Sequence, residues 1–216
     1  IIGARQVILA TGAQERPFPI PGWTLPGVMT AGAAQIALKS AGASPSGRTV
    51  IAGCGPLLYL LAGQLAAAGC QIAAVLDTTP NGNWSKALAA IPDFLRSPYL
   101  AKGLKLMLST RRKLRFVSGV TSLTATGDGK LATVQFEQSG RTGTIACDTL
   151  LLHQGVIPGV NFSNAAGCAH DFDTEQHAWV PRVDAWCAAT VPGIAIAGDG
   201  AGIGGAESAA LRGEIA

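Results

Sequence analysis

The chain has 216 residues, 48% of them hydrophobic and 13% charged, with 28 glycines and a formal net charge of +3. This length can bury a core of one or two domains, and little charge with abundant glycine suits an α/β protein whose strands are covered on both faces. So small a charge, with no base-stacking aromatic pattern, argues against nucleic acid, and the longest apolar stretch, Leu57 to Ala68, is interrupted and too short to span a bilayer.

Val7 to Ala10 reads as a buried strand ending at Thr11-Gly12-Ala13. Pro17, Pro19, Pro21 and Pro26 make the next stretch an extended connection. Ala31 to Ala41 is predicted as a short helix, and Ala43 to Gly47 as a linker and candidate domain boundary. A strand at Thr49 to Ala52 then enters the turn Gly53-Cys54-Gly55-Pro56. Proline suits the first position of the helix that follows, which runs to about Ala68. Gln71 to Leu76 forms the next strand, with Asp77 at its tip, completing a βαβ opening of dinucleotide-binding type.

Ser85 to Arg96 and Tyr99 to Arg112 are predicted to be helical. Leu114 to Val117, Ser122 to Thr126, Leu131 to Gln138 and Thr144 to Cys147 are read together as a small β-meander, with turn chemistry at Gly127-Asp128-Gly129 and Ser139-Gly140-Arg141. Thr149 to Leu152 is a further strand. Gly159 to Val191 is read as irregular, before a strand at Ile194 and a helix beginning near Ala206.

Two glycine turns carry chemistry. Gly198-Asp199-Gly200 follows the strand at Ile194, and Gly200, Gly202, Gly204 and Gly205 crowd the residues after Asp199. A carboxylate at a strand end can accept hydrogen bonds from sugar-like hydroxyls, while bare N–H groups at a helix start favour phosphate. In the earlier turn, Gly53 permits the bend and Gly55 lets a pyrophosphate approach, with Asp77 placed where a carboxylate holds the adenosine ribose. The third fingerprint glycine falls at Leu58, whose side chain must push the helix away or fill the cleft. NAD(P) binding is therefore an expectation that Leu58 weakens.

The densest positive cluster, Arg111-Arg112-Lys113-Leu114-Arg115, suits a solvated helix end complementing the helix dipole. Meeting a 2′-phosphate or an acidic partner is the other reading, and Asp77 would repel the phosphate. His153, His170 and His177 do not make a metal site; His153 ends a strand and is read as a satisfied buried side chain. No nucleophile–histidine arrangement can be defended, so no catalytic residue is named. The cysteines Cys54, Cys70, Cys147, Cys168 and Cys187 are odd in number and lack any Cys-x-x-Cys, as expected of reduced thiols rather than a redox dithiol or zinc ribbon. With no secretory signal in view, a cytoplasmic location is expected. A start without methionine and an end inside a predicted helix read as an excerpt from a longer protein.

Taken in order, Val7 to Gly12, Gly53 to Asp77 and Gly193 to Gly205 resemble the two-dinucleotide-domain flavoproteins of the pyridine nucleotide-disulfide oxidoreductase type. The stretch from Ala10 to Pro17, Pro21 to Val28, Gly53 to Leu58 and Gly198 to Ala206 is similar to one branch in particular: the FAD-containing subunits of opine oxidases, hydrogen cyanide synthase, and hydroxyproline or proline dehydrogenases. The resemblance implies a Rossmann-type FAD/NAD(P)-binding fold, with an NAD-type domain and its β-meander at 47–158 inserted between FAD-domain segments at 1–46 and 159–216. It places the Gly-rich N-terminal βαβ of the FAD domain before Ile1.

It further implies FAD as cofactor, with Asp199 binding ribityl or ribose hydroxyls and Thr11, Gly12, Gly198 and Gly200 to Gly205 lining it. A second flavoprotein subunit that oxidises an amine or amino acid is the implied partner, and the implied activity is FAD-dependent oxidation. An NAD(P)H-dependent reductase feeding a redox partner, and a non-catalytic nucleotide-binding or subunit-docking module, are the alternatives.

Overall fold

The computed structural model describes residues 3–80 and 99–216. The chain divides into two compact units, one made of Ile1–Arg16 with Val156–Ala216 and the other of Pro17–Gly155. The helix expected at 85–96 lies outside the described residues. The chain opens in the first unit with β1 (Val7–Leu9) and β2 (Ala13–Glu15).

The second unit begins with β3 (Val28–Thr30) and α1 (Ala31–Ala41). The hydroxyl of Thr30 accepts the Ala33 N–H and so caps α1. Gly42, at φ 64°, ends it, with the N–H groups of Gly42 and Ala43 donating to the carbonyls of Leu38 and Ala37. β4 (Thr49–Gly53), α2 (Pro56–Ala67) and β5 (Ile72–Asp77) form the expected βαβ unit. α3 (Tyr99–Lys113) leads to β6 (Phe116–Ser118), which starts two residues later than the sequence indicated and pairs parallel with β5 in the main sheet instead of joining the expected meander. β7 (Val120–Thr126), β8 (Thr133–Gln138) and β9 (Arg141–Ala146) form the antiparallel meander, and β10 (Thr149–His153) returns to the main sheet. Ser139 and Gly140 supply the two positive φ angles that the two-residue hairpin between β8 and β9 needs.

The main sheet is parallel, in the order β3-β10-β4-β5-β6. Successive side chains along a strand point to opposite faces, and both faces here are covered. Val50, Ala52, Ala74, Leu76, Leu150 and Leu152 pack with the meander, through residues such as Val134 and Phe136. Ile51, Val75 and Leu151 pack with α1 and α2, through Ala34, Leu58, Leu61 and Leu65. Double coverage explains why β4 and β10 read as near-continuous apolar runs.

β3 hydrogen-bonds to β10, and this compact unit starts at Pro17, inside the segment read from the sequence as 1–46. The linker at 43–47 joins two elements of one unit. At the other end β11 (Val156–Pro158) pairs antiparallel with β2, and the first compact unit resumes at Val156.

In the first unit β1 and β14 (Ile194–Ile196) run parallel, Val7 facing Ile194, although almost the whole chain separates them. β1 is not the buried strand expected: Val7 is 44% and Ile8 56% exposed. Its sheet holds only β1 and β14 among the described residues, which leaves its faces open. The stretch read as irregular contains α4 (Asn161–Ala165) and a hairpin of β12 (His170–Asp173) and β13 (Ala178–Pro181). Asp173 turns the hairpin by accepting the N–H groups of Glu175 and Gln176 on Oδ1. A 3-10 turn (Gly198–Ala201) and α5 (Ala206–Ile215) close the chain, α5 starting where the sequence placed it.

Candidate functional site

In the first unit the sequence-marked residues Thr11, Gly12 and Gly200 come together. The Thr11 hydroxyl donates to the Gly159 carbonyl at 2.6 Å, and the Gly159 N–H donates to the Gly12 carbonyl at 2.8 Å. A Cβ on Gly200 would lie 2.8 Å from Thr11 Oγ1, so only glycine lets the two turns meet this closely.

Asp199 organises the loop that follows. Its carbonyl accepts the Gly202 N–H at 3.2 Å, and its Oδ1 accepts the Gly204 N–H at 3.0 Å. A Cβ on Gly204 would crowd the Ser208 hydroxyl at 2.5 Å. Gly202 sits at φ 120°, a conformation that glycine tolerates best.

Two residues without a sequence signal hold this loop. Gln176, in the hairpin turn, accepts the Ile203 N–H on Oε1 at 2.9 Å. Arg212 of α5 donates to the Gly202 carbonyl at 2.6 Å. Arg16 fixes the hairpin turn in its place, donating to the carbonyls of Gln176 and His177. The sequence expectation of a loop with bare N–H groups therefore needs correction at Gly202, Ile203 and Gly204, whose N–H groups bond within the chain. The reason is local: a side-chain carboxylate, a backbone carbonyl and a glutamine oxygen are all within reach. What the loop offers a ligand is a pinned carboxylate and close backbone, built beside Thr11, Gly12 and Gly200. Those are the requirements of a hydroxyl-rich dinucleotide such as FAD, and the residues fit it.

In the second unit Gly53 and Asp77 face one another across β4 and β5. A Cβ on Gly53 would run into the His153 carbonyl oxygen, so the βα turn needs glycine for contact with β10. Gly55, at φ 84°, has open space where a Cβ would stand. Leu58 is fully buried and belongs to the core between α2 and the sheet, so it fills the packing layer rather than the cleft.

Asp77 is 6% exposed and already engaged. Thr79 donates its N–H to Oδ1 at 3.0 Å, Tyr59 its hydroxyl to Oδ2 at 3.1 Å, and Arg111 Nη2 stands 3.6 Å from Oδ2. Arg111, read from sequence as part of a solvated helix end, also donates to the Tyr59 oxygen at 2.8 Å and to Ser118 at 3.3 Å. Its guanidinium lies over the stacked rings of Tyr59 and Phe116. Burial pushes the Tyr59 phenol up, against the Arg111 hydrogen bond. The cavity bounded by Gly55, Tyr59, Asp77, Arg111 and Ser118 holds about 140 Å³. Gln154 spans the neighbouring crevice, donating to the Thr78 hydroxyl at 2.8 Å and accepting from the Cys54 thiol at 3.2 Å. His153 is buried, as expected.

The five cysteines are free thiols. Among the described residues no cluster could hold a metal ion and no helix is long and apolar enough to cross a membrane.

Residues 1–213 match the family model of the pyridine nucleotide-disulphide oxidoreductases. The chain belongs to that family. It is 50% identical over 216 residues to an opine oxidase subunit from Agrobacterium tumefaciens, covering all of this chain and 43% of that protein. It is 36% identical over 222 residues to the hydrogen cyanide synthase subunit HcnB of Pseudomonas aeruginosa, covering 97% of this chain and 47% of that one. The chain thus spans less than half the length of these two relatives, both of which are named as subunits.

Among solved structures, T. acidophilum thioredoxin reductase superposes with a TM-score of 0.65 at 19% identity, over 98% of this chain and 62% of that one. L-proline dehydrogenase from P. horikoshii superposes at 0.62 with 18% identity, over 93% and 31%. At these identities the likeness shows the fold, which is the Rossmann-type FAD/NAD(P)-binding fold.

Proposed function

We propose that this chain is the cofactor-holding part of an FAD-dependent oxidoreductase subunit. In the whole protein it works beside a second flavoprotein subunit that oxidises an amine or amino acid of the opine or proline kind, in the cytoplasm. Half-identity to the Agrobacterium opine oxidase subunit along the entire chain carries the reading. The convergence of Thr11, Gly12, Asp199 and Gly200 supports it from the side of chemistry.

FAD supplies the electron-accepting chemistry when bound. The protein's share is placement. Asp199, anchored on the Gly204 N–H through Oδ1, keeps its other oxygen for hydroxyl donors of the cofactor. Gly12 and Gly200 add no side-chain bulk, so that backbone can approach it, and Thr11 ties its turn to Gly159. Gln176 and Arg212 hold the loop in register.

The test is Asp199→Ala in the full-length protein. Loss of a hydrogen bond to a charged acceptor costs about 1.5–3 kcal/mol, or a tenfold or larger loss of cofactor affinity. Purified variant should carry less flavin by absorbance while keeping its circular dichroism. Undiminished flavin refutes the assignment.

A further inference from the structure

In Pro17–Gly155 the strand-end carboxylate that a nicotinamide dinucleotide would need is engaged by the chain's own groups. We propose that Arg111 and Tyr59, clamped on Asp77, hold the adenosine-ribose end of this turn against NAD(H), and that the unit is a nucleotide fold that delivers no electrons from nicotinamide. This goes beyond the FAD reading and does not depend on it, because the other unit holds the flavin-type loop.

A carboxylate at the end of the second strand recognises ribose by accepting its two hydroxyls. Both oxygens of Asp77 are already bonded, Oδ1 by the Thr79 N–H and Oδ2 by the Tyr59 hydroxyl. The Arg111 guanidinium balances the buried charge from 3.6 Å. A ribose hydroxyl that takes Oδ2 competes with Tyr59 and Arg111 for it. Arg111 would give up hydrogen bonds to Tyr59 and Ser118 and its seat over the Tyr59–Phe116 stack. A buried carboxylate stripped of its cation is strongly unfavourable, so the clamp opposes exchange for a neutral diol.

The phosphate end is no better served. Pro56 removes one N–H from the start of α2. Gln154 ties the Cys54 turn to Thr78 across the crevice mouth. Leu58 sits in the core, so the helix–sheet packing that a third glycine would permit is replaced by a leucine layer. A 2′-phosphate meets the same barrier, since Arg111 could reach it only by abandoning Asp77.

Calorimetric titration of the full-length protein with NADH and NADPH tests the clamp. No saturable binding is expected up to about 1 mM, and a low-micromolar dissociation constant for either nucleotide overturns the proposal. The Tyr59→Phe/Arg111→Gln variant, which frees Asp77, is expected to gain a saturable NADH isotherm. A folded variant with no gain overturns the clamp. Should that variant fail to fold, Asp77→Asn, Arg111→Gln and their combination decide by thermal midpoint. A clamp predicts that the pair loses no more than the worse single substitution, whereas additive losses refute it. Flavin content is unchanged in every supporting outcome, so failure here is distinguishable from failure of the FAD reading.

Discussion

Replacing Leu58 by the glycine of the full dinucleotide fingerprint is expected to cripple the fold of the second unit rather than repair a binding site. Leu58 has no exposed surface and packs in one cluster with Ile51, Leu61, Leu65, Val75 and Leu151. Deleting a buried leucine side chain down to alanine costs about 3–5 kcal/mol, through lost transfer energy and the cavity left behind. Glycine in place of alanine within a helix adds up to about 1 kcal/mol. A loss of roughly 3–6 kcal/mol is a large part of the stability of a domain this size. At about 2–4 °C per kcal/mol it lowers the thermal midpoint by roughly 6–24 °C. The assay is thermal unfolding followed by circular dichroism, paired with a urea titration to show that the midpoint falls at constant slope. A loss under about 1 kcal/mol would mean that Leu58 does not hold α2 to the sheet, and would refute the explanation given for its place in the fingerprint.

Gln176→Ala should speed hydrogen exchange at the Ile203 amide and lower flavin retention several-fold, because it removes the acceptor that pins the glycine loop; exchange equal to wild type would show that the loop holds itself. Cys147 gives a pH signature. Burial pushes its thiol up to about 11 from the ordinary 9.0, so the neutral form is favoured in the folded state. Between about pH 9 and 11 the unfolded chain has lost this proton and the folded chain has kept it. Stability is therefore complete below about pH 9 and falls by roughly 2–3 kcal/mol as pH rises through 11. Cys147→Ala should flatten that slope in denaturant titrations across the range, and an unchanged slope would assign it to other groups.

The βαβ pattern at Thr49–Asp77, the glycine turns and the start of α5 were legible in the sequence because each is a local signal: apolar run, glycine, helix-compatible proline, strand-end acid. The pairing of β1 with β14 was legible through family resemblance, since no local pattern links segments so far apart. Three features were decided by tertiary structure alone. β3 joined the main sheet through hydrogen bonds to β10, so the linker at 43–47, which looked like a natural break, joins two elements of one compact unit. The hairpin of β12 and β13 escaped notice because His170-Asp171-Phe172-Asp173 is too short and polar to show strand alternation, and its turn depends on one aspartate oxygen. The role of Asp77 was the third. Its position follows from chain spacing, but its partners come from α2 and α3, where Tyr59 and Arg111 lie 18 and 34 residues away along the chain. Spacing fixes where a carboxylate stands, and only packing decides whether it faces a ligand or an arginine of its own chain.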